Sequence, residues 1–94
     1  MEFTWDPAKA ASNLATHGVS FEEASTVLAD PNCVELPDAD NEQGESRMDV
    51  IGFSSSAQLL FVVVFEVEED ELTRIVSARR ATPHEAKRYA EDNS

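Results

Sequence analysis

The chain has 94 residues, with 19 acidic side chains against seven lysines and arginines and a formal net charge of −12. This length fits a single domain spanning residues 1–94. So acidic a chain lacks the basic face of a general nucleic-acid binder. Its longest apolar run, residues 59–65, is too short to span a membrane, so we expect no membrane partner.

The N-terminus and the cysteine content indicate a cytoplasmic protein. The first residues, Met-Glu-Phe-Thr-Trp-Asp, have neither the basic start nor the apolar core of a secretory signal. The single cysteine, Cys33, has no partner for an internal disulfide, which suits a reducing compartment. The nearby carboxylates of Asp30 and Glu35 disfavour a thiolate, so Cys33 is a poor candidate nucleophile.

The N-terminal segment predicts a short strand followed by a capped helix. Residues 2–5 alternate between polar and apolar side chains, as a strand does. Asp6 and Pro7 are typical of a helix start, and Gly18 is typical of a helix end. The face expected to point inward consists of Ala8, Ala11, Leu14 and Ala15.

A second helix is predicted between residues 20 and 30. Ser20 and Glu23 have the spacing of a capping box, and Asp30-Pro31 ends the helix. Its expected inward face consists of Phe21, Ala24, Val27 and Leu28.

The second half of the chain predicts consecutive strands. Residues 34–36 are a candidate strand, and segments 47–53, 59–66 and 72–80 follow as three more. The segment 59–65 is apolar at every position, so its strand should lie centrally and be covered on both faces.

A last helix follows these strands. Thr82, Pro83 and Glu85 repeat the capping signature, and the helix should run to about Glu91. The whole order predicts an α+β fold, with an N-terminal short strand and two helices, an antiparallel sheet of three to four further strands, and a C-terminal helix.

The cations gather near the C-terminus. Five of the seven are Arg74, Arg79, Arg80, Lys87 and Arg88. Guanidinium groups bind phosphate in a fork geometry that lysine cannot copy. Strand alternation should place Arg74 and Arg80 on one face of the strand and Arg79 on the other. The last helix should then fold Arg88 and Tyr89 back over the strand end, near Arg80.

Glu45 and Arg47 complete a candidate site, because a neighbouring antiparallel strand could bring them beside the Arg79–Arg80 end. Such a set can cleave RNA without a metal ion. A base takes the 2′-hydroxyl proton, arginines stabilise the charged phosphorane, and an acid protonates the leaving 5′-oxygen. Glu45 is the candidate base, and Tyr89 or His84 the candidate acid. The alternative is that these residues form ordinary stabilising pairs.

Other kinds of site have no support in the sequence. The chain has no zinc-type spacing of cysteine and histidine, no glycine-rich phosphate loop and no nucleophile turn around a serine. We therefore expect neither a metal site nor a cofactor.

Nearly the whole chain resembles the BrnT family of bacterial type II toxins. The matching segments are Phe3–Lys9, Asn13, His17–Ala24, Asp30–Pro31, Glu45 with Arg47, Ile51–Gly52, 59–64, Arg74–Thr82, Glu85 and Arg88–Tyr89. The resemblance implies a RelE-like α+β fold and a metal-independent ribonuclease that inhibits translation. The implied catalytic residues are Glu45, Arg47, Arg79, Arg80 and Tyr89, and the implied RNA-binding residues are Arg74, Lys87 and Arg88.

The resemblance also implies a cognate antitoxin, BrnA, whose ribbon-helix-helix part binds DNA. The toxin would then reach DNA only through this partner, in a dimer or a heterotetramer. Asn41 and Phe65 stand where the family usually has histidine. The alternative is therefore a weakened or inactive module that binds a basic partner through acidic segments 35–45 and 66–71. Adaptation to high salt would instead make these acids solvated surface.

Overall fold

The computed structural model describes residues 2–36, 47–55, 60–67 and 72–94, and these residues form three helices and five strands. The elements are β1 (Glu2–Thr4), α1 (Pro7–His17), α2 (Phe21–Val27), β2 (Val34–Leu36), β3 (Arg47–Phe53), β4 (Leu60–Val67), β5 (Leu72–Arg80) and α3 (Pro83–Asp92). The predicted α+β class, the four later strands and the C-terminal helix are confirmed. No helix in these described segments is long and apolar enough to cross a membrane.

Local side-chain chemistry sets the helix ends as predicted. The Asp6 carboxylate accepts from the Ala8 amide at 2.9 Å, which caps α1, and Gly18 ends it with a left-handed φ of 72°. The Thr82 hydroxyl accepts from the Glu85 amide, and the Glu85 carboxylate accepts from the Thr82 amide, forming the predicted capping box of α3.

The five strands form one sheet in the order β1-β5-β4-β3-β2. β4 is central as predicted, and its consecutive residues Phe61, Val62 and Val63 are each no more than 3% exposed. The pairs β2–β3, β3–β4 and β4–β5 are antiparallel. β1 departs from the expected antiparallel sheet, because two helices return the chain so that β1 pairs with β5 in parallel.

Helices cover both faces of the sheet. On the first face, which we call the α1–α2 face, Val19, Phe21, Ala24 and Val27 pack on strand residues that include Val63. The opposite α3 face carries a smaller cluster, which joins Ile51, Val62 and Tyr89 to the partly buried Val34, Leu36 and Ala81. The predicted inward residues Phe21, Ala24 and Val27 are therefore confirmed.

The inward face predicted for α1 is wrong. Ala8, Ala11, Leu14 and Ala15 are exposed, and Leu14 keeps 52% of its surface open to solvent. The buried residue is Asn13, whose amide nitrogen donates to the carbonyls of Val19 and Ala78, both at 2.9 Å. Its amide oxygen accepts from the Ala78 N–H at 3.1 Å. α1 is thus fixed to the edge of β5 by a polar side chain, which an apolar pattern does not reveal.

A β-bulge at Val76 changes which arginines share a face. Ser77 lies opposite Val64 and Ile75 lies opposite Phe65, so Val76 has no partner on β4. The predicted alternation is therefore wrong on one side of the bulge. Arg74 and Arg79 lie on the α3 face, and Arg80 belongs to the other.

Candidate active site on the face beneath the last helix

The register of the three central strands places charged side chains in cross-strand rows on the α3 face. The rows are Arg47–Glu66–Arg74, Asp49–Val64–Ser77 and Ile51–Val62–Arg79. We call the third row, with the α3 residues packed on it, the closed end. The first row, beyond the cluster around Tyr89, is the open end. The two ends are separated by roughly 13 Å along a strand, at about 3.3 Å for each of four residues.

At the closed end, Arg79 is held by Glu85 of α3. Its two terminal nitrogens donate to the two carboxylate oxygens of Glu85, each at 2.8 Å. The hydrogen bond to Glu85 raises the pKa of Arg79, with further contributions from the charges of Glu85 and Asp49. The same bond lowers the pKa of Glu85 to about 2. The ion pair therefore fastens the start of α3 to the end of β5.

Tyr89 is buried at the closed end, and its hydroxyl is already engaged. It is 7% exposed and donates to Asp30 Oδ2 at 2.8 Å. Burial, together with the bond and charge of Asp30, raises the pKa of Tyr89 to about 12. The ring of Phe53 meets Tyr89 edge-on, with centroids 5.4 Å apart. Tyr89 is thus a neutral phenol tied to a neighbouring carboxylate.

Asp30 joins the two helical layers around the end of the sheet. Its Oδ2 accepts from the Phe53 amide and from Tyr89, and its Oδ1 accepts from the Asn32 amide. Burial pushes the pKa of Asp30 upward, but these hydrogen bonds outweigh burial and hold that pKa below its usual value. The sequence marked this position only as the end of a helix, so this role of Asp30 was missed.

At the open end, the carboxylate of the ion pair lies nearer to solvent than at the closed end. Arg47 Nη2 and Nε donate to Glu66 Oε1, at 2.8 and 3.3 Å, and the side chains are 40% and 29% exposed. Arg74 lies opposite Glu66 on the other neighbouring strand. The row thus alternates positive, negative and positive charge across three strands.

The predicted approach of Arg47 to the Arg79–Arg80 end is wrong. β3 and β5 are both antiparallel to β4, so they run in the same direction. The start of β3, with Arg47, consequently lies at the same end of the sheet as the start of β5, with Arg74, and β4 lies between the two strands. The predicted partner Glu45 lies outside the described residues.

The remaining predicted cations lie on the surface. Arg80, Lys87 and Arg88 are exposed, and Arg88 approaches Asp92 at 3.7 Å. Within the described parts of the chain, the side chains of Arg80 and Lys87 make no hydrogen bond or ion pair. His84, the other candidate acid, is exposed in the first turn of α3.

Two carboxylates on the α3 face were not assigned to the site, since Glu66 was named only within acidic segment 66–71 and Asp49 was missed. Residues two apart in a strand share a face, so Asp49 lies on the face of Ile51 and Glu66 on the face of Val64. This spacing was the signal available in the sequence. Among the described residues, no group of three or more histidine, cysteine and acidic side chains converges as a metal site would. Burial and the charge of Asp30 raise the pKa of the Cys33 thiol, which confirms that a thiolate is disfavoured.

Comparisons with known proteins place the chain in a family. A search of curated proteins finds no match. Among solved structures, the chain is similar to the crystal structure of the Brucella abortus ribonuclease toxin BrnT, with a TM-score of 0.66 and 24% identity. The alignment covers 87% of this chain and 97% of that one, and at this identity it concerns the fold. The family model for the ribonuclease toxin BrnT of type II toxin-antitoxin systems matches residues 5–85, so the chain belongs to the BrnT family.

Proposed function

We propose that the chain is a toxin that cleaves RNA without a metal ion at the open end of the α3 face. It inhibits translation in the cytoplasm until a BrnA-like antitoxin binds it. The row Arg47–Glu66–Arg74 is the observation that supports this proposal. Two guanidinium groups flank one carboxylate there, on a part of the sheet that α3 leaves uncovered.

The proposed reaction follows from these groups. Glu45, two positions before Arg47 in the sequence, takes the 2′-hydroxyl proton of RNA. The 2′-oxygen attacks the adjacent phosphorus, and Arg47 and Arg74 stabilise the charge of the phosphorane. The bond to the 5′-oxygen then breaks, and this oxygen takes a proton from solvent. The products are a 2′,3′-cyclic phosphate and a 5′-hydroxyl.

The other residues carried over from the family take different roles in this proposal. Arg79 and Tyr89 position α3, since Glu85 and Asp30 already engage their polar atoms. Lys87 and Arg88, which are exposed on α3, neutralise phosphates of the bound strand beyond the cleaved bond. Arg80 lies on the opposite face at the closed end and takes no part in the open-end site. The antitoxin covers the open end, as a partner in a dimer or a heterotetramer, and alone contacts DNA.

The test is digestion of RNA by the purified chain, with and without a chelator. We expect equal cleavage in both, with cyclic phosphate ends, and inhibition on adding the antitoxin encoded beside the toxin. An Arg47→Gln variant purified in parallel controls for contaminating nucleases. Cleavage that the chelator abolishes would contradict the metal-free mechanism.

A second candidate is a binding module that has kept the fold and lost the enzyme. Arg47, Arg79 and Tyr89 all bind partners within the chain, which favours this candidate. It predicts a tight, salt-sensitive complex with a basic partner and no cleavage of RNA. Cleavage that Arg47→Gln removes decides against it.

A further inference from the structure

A small polar cavity lies between α1 and the outer edge of β5, outside the three rows of the α3 face. Its volume is about 180 Å³, and it is lined by Lys9, Ser12, Asn13, Thr16, His17 and Val76. β1 pairs with β5 only as far as Arg74, and Asn13 binds the edge at Ala78. The cavity therefore occupies the gap at the Val76 bulge, where β5 has no further neighbour among the described strands.

The lining carries donors that the described structure does not use. The side chains of Lys9, Ser12, Thr16 and His17 make no hydrogen bond or ion pair with any described residue. Asn13 is the exception, because its amide is committed to Val19 and Ala78. One ammonium, two hydroxyls and one imidazole thus belong to exposed residues that line the same open pocket.

The electrostatic setting of this cavity differs from that of the chain as a whole. α1 contains no acidic residue in its 11 positions, although the chain has a net charge of −12. No carboxylate lines the cavity. The larger cavity, of about 680 Å³, has the opposite character among its described lining residues, since it includes the Asp30 carboxylate and no cation.

We propose that the small cavity binds a phosphate group. An ammonium ion and hydroxyl donors around an opening without carboxylates suit a small oxyanion. The phosphate belongs to the RNA backbone, and this part of the inference rests on the proposed function. Val76 follows Arg74 by two residues, roughly 7 Å along the strand. RNA leaving the open end over the edge of β5 would thus bring its next phosphates to Lys9.

The first arm of the test uses inorganic phosphate and the backbone amide resonances of α1. Phosphate should shift the amides of the lining residues saturably. Lys9→Gln should weaken this binding about three- to tenfold, through loss of a charge-assisted bond. Lys87→Gln removes the same charge from α3 and should leave the α1 shifts unchanged. Thr16→Val, which removes a donor without changing charge, should weaken binding by a smaller factor.

The second arm identifies the source of the phosphate. A 2′-O-methylated RNA oligonucleotide cannot be cleaved, and its affinity is measured over a range of salt concentrations. Lys9→Gln should reduce the slope of log affinity against log salt by about 0.7, the value for one phosphate on a single strand. Lys9→Arg should restore the slope.

The outcomes separate this inference from the proposed function. If neither phosphate nor the oligonucleotide shifts the α1 amides, the inference is overturned. If phosphate shifts these amides but Lys9→Gln leaves the salt slope of oligonucleotide binding unchanged, the cavity binds free phosphate. Its assignment to RNA is then overturned. If both arms succeed while the wild-type chain fails to cleave RNA, the site stands and the proposed function fails.

Discussion

The closed and open ends of the α3 face use arginine differently. At the closed end, Arg79 forms a two-pronged pair with Glu85, whose side chain is 19% exposed. At the open end, Arg47 donates twice to a single oxygen of Glu66, whose side chain is 29% exposed. A fork-to-fork pair fixes the geometry of both side chains, whereas a pair through one oxygen constrains the guanidinium group less and yields more readily to a competing phosphate. The same residue type therefore holds a helix at one end and faces a potential substrate at the other.

This difference explains why a family motif does not by itself assign catalytic roles. Arg79 lies within the residues that the family model matches, as Arg47 does, yet both of its terminal nitrogens bind the two oxygens of Glu85. A residue can be characteristic of a family because the fold needs it. Separate measurements of stability and cleavage distinguish the two cases.

The largest expected effect lies at the closed end. Tyr89→Ala should lower the free energy of unfolding by about 3–5 kcal/mol, because it empties a buried aromatic site. Chemical denaturation measures this change. Tyr89→Phe is the matched variant, and it should cost only about 1 kcal/mol for the lost bond to Asp30. If Tyr89→Phe abolished cleavage at unchanged stability, Tyr89 would be a catalytic residue and the closed-end assignment would be wrong.

Arg47→Ala should separate activity from stability at the open end. Cleavage should fall by about 100-fold or more, because a guanidinium that stabilises the phosphorane is removed. The free energy of unfolding should change by about 1 kcal/mol or less, since the pair with Glu66 is partly open to solvent. Initial rates of RNA cleavage and a denaturation curve on the same sample test both statements. Arg79→Ala should reverse the pattern, with a larger loss of stability and nearly normal cleavage per folded molecule.

The Glu85 carboxylate at the closed end should also make the free energy of unfolding depend on pH. The pKa of Glu85 in the folded chain is about 2, below its ordinary value of 4.5. Its contribution is therefore fully present above about pH 5 and is lost as pH falls through about 2. We expect the free energy of unfolding to fall by on the order of 2 kcal/mol over this range. Denaturation curves recorded at successive pH values measure this fall. Glu85→Gln should remove this part of the dependence, and an identical profile in the variant would contradict the assignment.

The smallest effect is expected on the exposed side of α3. Arg88 and Asp92 are four residues apart, at 3.7 Å, and both are nearly half exposed. Arg88→Ala should change the free energy of unfolding by less than about 0.5 kcal/mol. A change as large as that for Tyr89→Phe would mean that the closed end extends further along the helix than the contacts indicate.

The sequence was most informative where structure depends on neighbouring residues. The caps at Asp6 and Thr82 and the stop at Gly18 were correctly predicted, because each involves bonds within a few positions. The central place of β4 was predicted from its continuous apolar run, because only a strand covered on both faces needs one.

Contacts between distant residues were not predictable in this way. The orientation of α1 depends on Asn13 reaching Ala78, which lies 65 residues later. The sharing of one face by Arg74 and Arg79 depends on one bulged residue, Val76, for which the sequence gives no distinct signal. The residues of the candidate site could therefore be named from the sequence, but their arrangement on the sheet could not.

The Asn13 amide has a consequence for the outer edge of the sheet, where another strand could add. An unpaired edge strand presents backbone donors and acceptors that other extended chains can bind, which is one route to aggregation. Beyond β1, the outer edge of β5 would be such an edge without Asn13. The amide of Asn13 satisfies both the N–H and the carbonyl of Ala78, as the backbone of a further strand would. One side chain thus occupies the backbone donor and acceptor that an added strand would need at this position of the edge.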